Sequence, residues 1–179
     1  KFCPVEEDGS INLDTFKGLI TDKTKLVAFP HVSNALGVIN PVKEMVAAAK
    51  AAGAIVLIDG CQAVPHMKVD VAALGADFYA FSGHKVYGPT GIGALWGRME
   101  LLEEMRPYQG GGEMIKDVFE DTITYGGVPH KFEAGTPAIV EAVGLGLAFD
   151  YLSQFNFADL QAHEDKLLKR AMDQLSGFN

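Results

Sequence analysis

Cysteine, clustered basic residues and long apolar runs are all scarce in this sequence of 179 residues. Its 2 cysteines, Cys3 and Cys61, are too few for a disulfide framework and form no CxxC pair, so we expect both thiols to be reduced. The 15 lysines and arginines form no run and the net charge is -8, which argues against a nucleic-acid partner. Small molecules and other proteins are the partners that this composition favours.

Membrane and metal functions also lack a signal. No apolar stretch approaches the roughly 20 residues that span a bilayer, and the N-terminus has no hydrophobic signal core, so we expect a cytoplasmic protein without membrane contact. The spacing of histidines, cysteines and carboxylates matches no zinc site, and the run Gly91-Ile92-Gly93 lacks the rest of a dinucleotide fingerprint. We therefore predict neither a metal site nor a dinucleotide site.

Short apolar runs alternate with helical patterns along the first half of the chain. The hydrophobic content of 48% is enough for a sizeable core in one domain. The pattern predicts strands over 26–30, 55–58, 78–81 and 91–97, helices over 13–20 and 99–105, a helix that opens at Pro41 behind Asn40, and a helical turn over 69–74. Such alternation is typical of an α/β fold, in which a mostly parallel sheet carries helices on both faces.

The second half of the chain has a different pattern. Residues 107–137 are polar and glycine-rich without a sustained period, and they predict a long loop or a weak hairpin. Apolar spacing then predicts helices over 138–151 and 157–175. A loop as long as 107–137 in a compact domain is often functional.

Polar and charged side chains follow the predicted strands at the points where the strands end. Asp59 follows one strand, and the next leads into the run from Ser82 to Lys85, so these residues should share the edge where α/β sheets bind ligands. An amine and a carboxylate there suit pyridoxal 5'-phosphate, because lysine forms a Schiff base with its aldehyde and aspartate keeps its pyridine nitrogen protonated. Gln62 is close enough to reach the phenolic oxygen, while Ser82 and His84 offer donors to the phosphate.

Each of these residues also has an ordinary explanation. An aspartate after a strand is most often a turn residue or a cap, and most lysines are surface residues. The coincidence of several compatible groups on neighbouring strand ends favours the cofactor site. Loop histidines such as His31 and His66 are more often solvated or capping than ligands, and Cys61 is more often a small buried hydrophobe than a nucleophile. We leave these three residues out of the site.

Five sequence runs occur in an order that matches one enzyme family. They are HVSNALG at 31–37, DGCQA at 59–63, SGHKVYGPTGIG at 82–93, GGGEMI at 110–115 and FEAGTP at 132–137. Together they resemble the SufS-type, or group II, cysteine desulfurases, also described as selenocysteine lyases, within the class V aminotransferase family. The SGHK and FEAGTP runs together indicate this branch rather than the IscS/NifS branch.

The resemblance implies a fold and a set of catalytic roles. Residues 1–179 would form the large domain of the pyridoxal-phosphate-dependent aspartate-aminotransferase fold, with a small C-terminal domain absent or only begun at about 157–179. Lys85 would be the catalytic Schiff-base lysine and proton carrier. Asp59 would bind the pyridine nitrogen and Gln62 the phenolic oxygen.

The remaining roles come from the same resemblance. Ser82 and His84 would bind the phosphate, and Asn34 would lie beside cofactor and substrate. Gly135 and Thr136 would reach the phosphate of a partner subunit, so a homodimer would share its active sites. The reaction would take sulfur from L-cysteine, or selenium from L-selenocysteine, and leave L-alanine and an enzyme persulfide. A sulfur-acceptor protein would pass the sulfur on to iron-sulfur cluster assembly.

Four elements of the family pattern have no counterpart in the sequence. In the family, a phosphate-binding turn and a histidine stacked on the ring precede the matching stretch, and the persulfide cysteine and a substrate-carboxylate arginine follow it. The chain also begins without methionine, so we expect a fragment with little desulfurase activity by itself. Two alternatives stay open: another class V pyridoxal-phosphate enzyme, such as an aminotransferase, epimerase or kynureninase-like hydrolase, and a cofactor-free scaffold.

Overall fold

Four strands form the central sheet of the computed structural model, which describes residues 1–178. They are β1 (Leu26–Pro30), β2 (Ile55–Asp59), β3 (Phe78–Ser82) and β4 (Gly93–Gly97), and they lie side by side in chain order. β1, β2 and β3 are parallel, whereas β4 runs antiparallel to β3. The prediction of an α/β fold with a mostly parallel sheet is confirmed.

Helices connect and follow these strands. They are α1 (Leu13–Leu19), α2 (Val42–Ala51), α3 (Val71–Leu74), α4 (Met99–Glu104), α5 (Ile139–Leu152) and α6 (Phe157–Leu175). α6 has the bounds that the sequence predicts, and α5 is displaced by one residue. Asparagine caps begin two helices, because Asn12 accepts the N–H groups of Asp14 and Thr15 and Asn156 accepts that of Ala158. No helix within residues 1–178 is long and apolar enough to cross a bilayer.

Asn40 does not open a helix as the sequence suggests. α2 begins at Val42, and Pro41 precedes it without a side-chain cap. The Asn40 amide instead donates to the Pro30 carbonyl at 2.8 Å, and its backbone N–H donates to the His31 carbonyl at 2.9 Å. Asn40 therefore fixes the end of β1.

The main core lies between one face of the sheet and helices α1 and α2. Its buried members are Phe16, Phe29, Val42, Met45, Val46, Ala49, Ala54, Val56, Ile58, Ala76 and Tyr79. Side chains alternate along a strand, so Leu57 and Ala80 belong to the other face. Both are only half-buried there, and both line an open cleft. Within residues 1–178, one face of the sheet is thus closed by helices, and Leu57 and Ala80 of the other face line a cleft.

An ion pair between a buried carboxylate and an exposed lysine ties α2 to the sheet. The side chain of Asp77, directly before β3, is 2% exposed, and its oxygens accept hydrogen bonds from the Lys50 amine at 2.6 and 2.8 Å. Its Oδ2 also accepts the backbone N–H of Val56 at 2.8 Å. Since a buried carboxylate needs partners for its lone pairs, this arrangement fixes α2, β2 and β3 relative to one another.

The segment 107–137 folds into a short hairpin with irregular flanks, in keeping with the prediction. Its strands are β5 (Ile115–Val118) and β6 (Ile123–Tyr125). Met114 is fully buried directly before β5, and its carbonyl accepts the N–H of Gly126 at 2.8 Å. The base of the hairpin is therefore fixed.

Lys131 anchors this segment to the end of α4. It is only 9% exposed, and its amine donates to the carbonyls of Glu103 and Met105 at 2.8 Å each. Carbonyls at a helix C-terminus lack partners within the helix, and a cation there is favourable. A charged residue in a polar run thus serves as a structural anchor.

We expect Asp77→Ala to lower the free energy of unfolding by about 3 kcal/mol, because it leaves the Val56 N–H without an acceptor and the Lys50 amine without its counter-charge. Urea unfolding measures the change. The exposed Lys169–Asp173 pair of α6 provides the control, since Asp173→Ala should hardly move the midpoint. Equal stability of the two variants would contradict the role given to Asp77.

Lys131→Met should make the segment 107–137 more sensitive to chymotrypsin, because it removes two charge-assisted hydrogen bonds and keeps an apolar stem of similar length. Mass mapping of the earliest fragments locates the cleavage. Lys116→Met in β5 is the matched control, since Lys116 is exposed and bonds to no side chain in the described part of the chain. Cleavage at the same rate in both variants would rule out the anchor.

Candidate functional site

The carboxyl ends of β1, β2 and β3 meet at one edge of the sheet. The register pairs Pro30 with Asp59 and Asp59 with Ala80, and β4 begins at Gly93 opposite Ser82. Residues that follow these strands therefore share the edge at which open α/β sheets bind ligands.

The Asp59 carboxylate is exposed at this edge. Its Oδ1 accepts the backbone N–H of Cys61 at 2.9 Å, and the carboxylate receives no second N–H or O–H donor from residues 1–178. Asp59 lines an open cleft of about 520 Å³ together with Cys61, Ser82 and Gly93. Its second oxygen is thus available to a proton-bearing nitrogen of a ligand.

The residue after Asp59 must be glycine. A Cβ on Gly60 would lie 1.9 Å from Cε1 of Tyr79, so no other side chain fits between this turn and the aromatic ring. The Gly60 N–H donates to the Ala80 carbonyl at 2.8 Å. The backbone that carries Asp59 is therefore packed tightly against β3.

Lys85 lies in a 3-10 turn, Gly83–Val86, that follows β3 directly. Val86 is buried in a small cluster with Leu145 of α5, and the Gly88 N–H donates to the Gly83 carbonyl at 3.0 Å. Lys85 itself is half-buried, and its amine forms no salt bridge or hydrogen bond with any residue described here. A rigid turn therefore presents an uncommitted amine, as a nucleophilic lysine requires.

Ser82 and His84 form a polar pair beside Lys85. Ser82 Oγ and His84 Nδ1 lie 2.8 Å apart, and the His84 side chain is exposed. Because Nδ1 is engaged, Nε2 is the ring nitrogen that remains for a ligand. The pair can thus offer hydrogen-bond donors to an anion.

Cys61 is influenced by the charges of both Asp59 and Lys85. Burial raises the pKa of its thiol, and the hydrogen bond and charge of Asp59 raise it further, whereas the charge of Lys85 opposes them. This environment disfavours the thiolate, which is the nucleophilic form of cysteine.

Asn34 and Gln62 line a second cleft of about 420 Å³, between the end of β1 and helix α6. The other wall includes Glu164, whose Oε1 lies 2.7 Å from Nδ1 of His66. The structure thus brings Asn34 and Gln62 together, but in a cleft whose lining includes neither Asp59 nor Lys85.

Gly135 and Thr136 lie apart from these residues. The Gly135 N–H donates to the Gly112 carbonyl at 2.9 Å with a φ of 85°, and Thr136 is exposed. Across residues 1–178, neither residue forms a hydrogen bond with Asp59, Ser82 or Lys85.

His31 differs from the solvated or capping residue that the sequence suggests. Its side chain is buried, and its Nδ1 lies 2.9 Å from the hydroxyl of Tyr79. Burial lowers the pKa of His31 and is the main reason why the pKa of Tyr79 is raised. The only sequence signal for this pair is that His31 follows one strand and Tyr79 lies in another.

The chemistry of this edge fits pyridoxal phosphate. An exposed carboxylate, an unpaired amine and the Ser82–His84 pair correspond to a ring nitrogen, an aldehyde and a phosphate. The open face of the sheet leaves space above them, in the cleft that Asp59 and Ser82 line.

Comparisons with known proteins connect this fold to one family. The aminotransferase class-V family model matches residues 1–179. The chain is 53% identical over 169 residues to a probable cysteine desulfurase of Streptomyces coelicolor. This alignment covers 94% of the chain and 40% of that protein.

Two solved structures are also similar. An apo cysteine desulfurase of Thermococcus onnurineus NA1 matches with a TM-score of 0.92 and 41% identity, covering 99% of this chain and 44% of that chain. The cysteine desulfurase CsdA of Escherichia coli matches with a TM-score of 0.91 and 39% identity, covering 97% and 44%. The agreement confirms the predicted fold class. The chain spans less than half the length of these relatives.

Alkylation of Cys61 tests the geometry of the site without any cofactor. In a Cys3→Ser background, we expect Asp59→Asn to lower the thiol pKa and speed alkylation at a fixed pH, because a negative charge and a hydrogen-bond partner are lost. Lys85→Ala should slow it, because a positive charge is lost. The rate of Cys61 alkylation by iodoacetamide, measured against pH, gives the direction of the pKa change in each variant. If neither variant shifts this profile, the proximity of Asp59 and Lys85 to Cys61 is contradicted.

Proposed function

The chain belongs to the aminotransferase class-V family, and from that premise we propose that it forms the cofactor-binding part of a pyridoxal-phosphate-dependent cysteine desulfurase. One observation carries the proposal. The Lys85 amine, which has no salt bridge or hydrogen bond with residues 1–178, and the exposed Asp59 carboxylate lie at the ends of neighbouring strands. The names of the similar proteins support the choice of reaction.

Lys85 is the catalytic residue of this proposal. Its amine would hold the cofactor through the aldehyde carbon and later carry the α proton of the substrate. The half-buried position supports the role, because the turn holds the amine at the ligand edge without a competing salt bridge or hydrogen bond from residues 1–178. When bound, pyridoxal phosphate supplies an electron sink for the carbanion that forms when that proton leaves.

Asp59 would keep a proton on the ring nitrogen. Its Oδ1 is fixed by the Cys61 N–H, so the second oxygen has a defined direction. Gln62 would donate to the phenolic oxygen, and Asn34 would lie beside cofactor and substrate. Their shared cleft supports a role as a pair, at a site next to that of Asp59.

Ser82 and His84 would bind the phosphate. Because Nδ1 of His84 lies 2.8 Å from the Ser82 hydroxyl, Nε2 is the ring nitrogen that remains to bind a phosphate oxygen. Gly135 and Thr136 would serve the phosphate of the partner subunit in a homodimer. Within residues 1–178 neither residue forms a hydrogen bond with Asp59, Ser82 or Lys85, which supports that reading.

The finer assignments rest on the sequence runs. We propose that residues 1–179 belong to the large domain, with at most the start of a small domain over 157–179, and that the parent enzyme is of the SufS type. It would act on L-cysteine or L-selenocysteine and deliver a persulfide to a sulfur-acceptor protein for iron-sulfur cluster assembly. The SGHK and FEAGTP runs support this branch.

Borohydride reduction after incubation with pyridoxal phosphate tests the role of Lys85. We expect a visible absorbance band before reduction and the reduced cofactor on the Lys85 peptide afterwards, because the amine is unpaired and sheltered. Lys85→Ala should lose both signals. Lys68→Ala should keep both, since Lys68 is exposed and forms no hydrogen bond in the part of the chain described. Label spread over surface lysines, or no label, would contradict the proposal.

A further inference from the structure

Two buried polar side chains lie behind Asp59 and have no part in the proposed chemistry. His31 follows β1 and is 8% exposed, and Tyr79 lies within β3 and is 1% exposed. Nδ1 of His31 and the Tyr79 hydroxyl are 2.9 Å apart, and the two rings meet edge to face at 87°. Phenylalanine at position 79 would fill nearly the same volume, so the hydroxyl calls for a reason of its own.

The pair bridges the two strands that flank β2. Because β2 lies between β1 and β3, the bond from His31 to Tyr79 passes beneath the end of β2, where the turn of Asp59 and Gly60 begins. A Cβ on Gly60 would stand 2.3 Å from the Tyr79 hydroxyl oxygen. The phenol is therefore in contact with the backbone of this turn.

Backbone hydrogen bonds hold the same peptide from both sides. The His31 N–H donates to the Asp59 carbonyl at 2.8 Å, and the Gly60 N–H donates to the Ala80 carbonyl at 2.8 Å. The side-chain bond between His31 and Tyr79 closes a frame around the peptide that joins Asp59 to Gly60. Any movement of this frame moves the Asp59 side chain.

We infer that the His31–Tyr79 hydrogen bond is a positioning element that sets where the Asp59 carboxylate stands at the ligand edge. The inference rests on the proposed function, in which Asp59 partners a protonated ring nitrogen. His31 and Tyr79 act through Asp59, because neither lines the cleft that Asp59 lines.

The protonation states agree with this role. Burial lowers the pKa of His31, so the imidazole is neutral near pH 7, and burial raises the pKa of Tyr79, so the phenol keeps its proton. The 2.9 Å bond between Nδ1 of His31 and the Tyr79 hydroxyl thus joins two neutral groups. The frame contains no net charge that would compete with a ligand for Asp59.

Cys61 reports the position of Asp59 without a cofactor. In the Cys3→Ser background, we expect Tyr79→Phe to speed alkylation of Cys61 several-fold, toward the rate of Asp59→Asn, because a displaced carboxylate raises the thiol pKa less. His31→Leu removes the other partner of the hydrogen bond and should speed Cys61 alkylation to a similar extent. His31→Asn, which keeps an acceptor near the position of Nδ1, should restore most of the wild-type profile.

A destabilised core alone should not produce this result. Val46→Ala removes buried apolar volume from the same cluster without touching the frame, so it should lower the unfolding midpoint and leave the Cys61 profile unchanged. Tyr79→Phe and His31→Leu should also be non-additive when combined, since each removes the same bond. An unchanged Cys61 profile in both single variants, or the same shift in Val46→Ala, overturns the inference.

Cofactor affinity tests the link to the ring nitrogen. Tyr79→Phe should weaken pyridoxal phosphate binding about tenfold, the loss expected when one charge-assisted hydrogen bond is misplaced. The analogue in which carbon replaces the ring nitrogen makes no bond with Asp59. Wild type and Tyr79→Phe should therefore bind this analogue with the same affinity. An equal loss for both ligands contradicts positioning through Asp59.

The two proposals can fail separately. If the wild-type chain binds neither ligand, or binds both equally, the function proposed for Asp59 fails, and the Cys61 profiles still decide whether the pair positions the carboxylate. If the wild type prefers the natural cofactor and Tyr79→Phe keeps the full preference, only the positioning role fails.

Discussion

The parallel register of β1, β2 and β3 is the constraint on which the candidate site depends. Because β1 and β2 end level and β3 continues only from Ala80 to Ser82 beyond them, the residues that follow the three strands share one edge of the sheet. A shift of β3 by one residue would exchange the faces of Tyr79 and Ala80, since side chains alternate along a strand. A phenol would then fill the open cleft. The buried carboxylate of Asp77 opposes such a shift, because its bonds to Lys50 and the Val56 N–H fix the start of β3 to α2 and β2.

The two faces of the sheet are packed differently within residues 1–178. One face is closed by α1 and α2 over a core of apolar side chains, and it also contains the His31–Tyr79 bond. The other face is open at Leu57 and Ala80 and leads to Asp59 and Ser82. Packing on the closed face thus fixes the backbone of β2 and β3, and this backbone in turn fixes where the side chains on the other face begin.

Local features of the sequence predict most of the fold, and long-range contacts account for what they miss. Helix α6 begins at an asparagine cap and follows an apolar period, so its bounds are readable from neighbouring residues. The role of Asn40 at the end of β1, the buried Lys131 and the His31–Tyr79 bond join residues from separate elements, which no local period encodes. Asp59 and Lys85 could be named because each lies at or just beyond the end of a strand, whereas the effect of both charges on the pKa of Cys61 emerges only in three dimensions.

The site combines a fixed frame with uncommitted reactive groups. Hydrogen bonds fix the surroundings of the site: the Gly60 backbone, the Cys61 N–H and the Ser82–His84 pair each form one. In contrast, the Lys85 amine and one oxygen of Asp59 have no N–H, O–H or carboxylate partner among the residues described. Pairing them with each other would stabilise the fold slightly and would block both for a ligand. The rigid backbone instead holds the charges of Lys85 and Asp59 apart. Each can then bind a ligand with little reorganisation of the site. The stability of this edge must therefore come from the buried face, which is where the polar frame behind Asp59 is found.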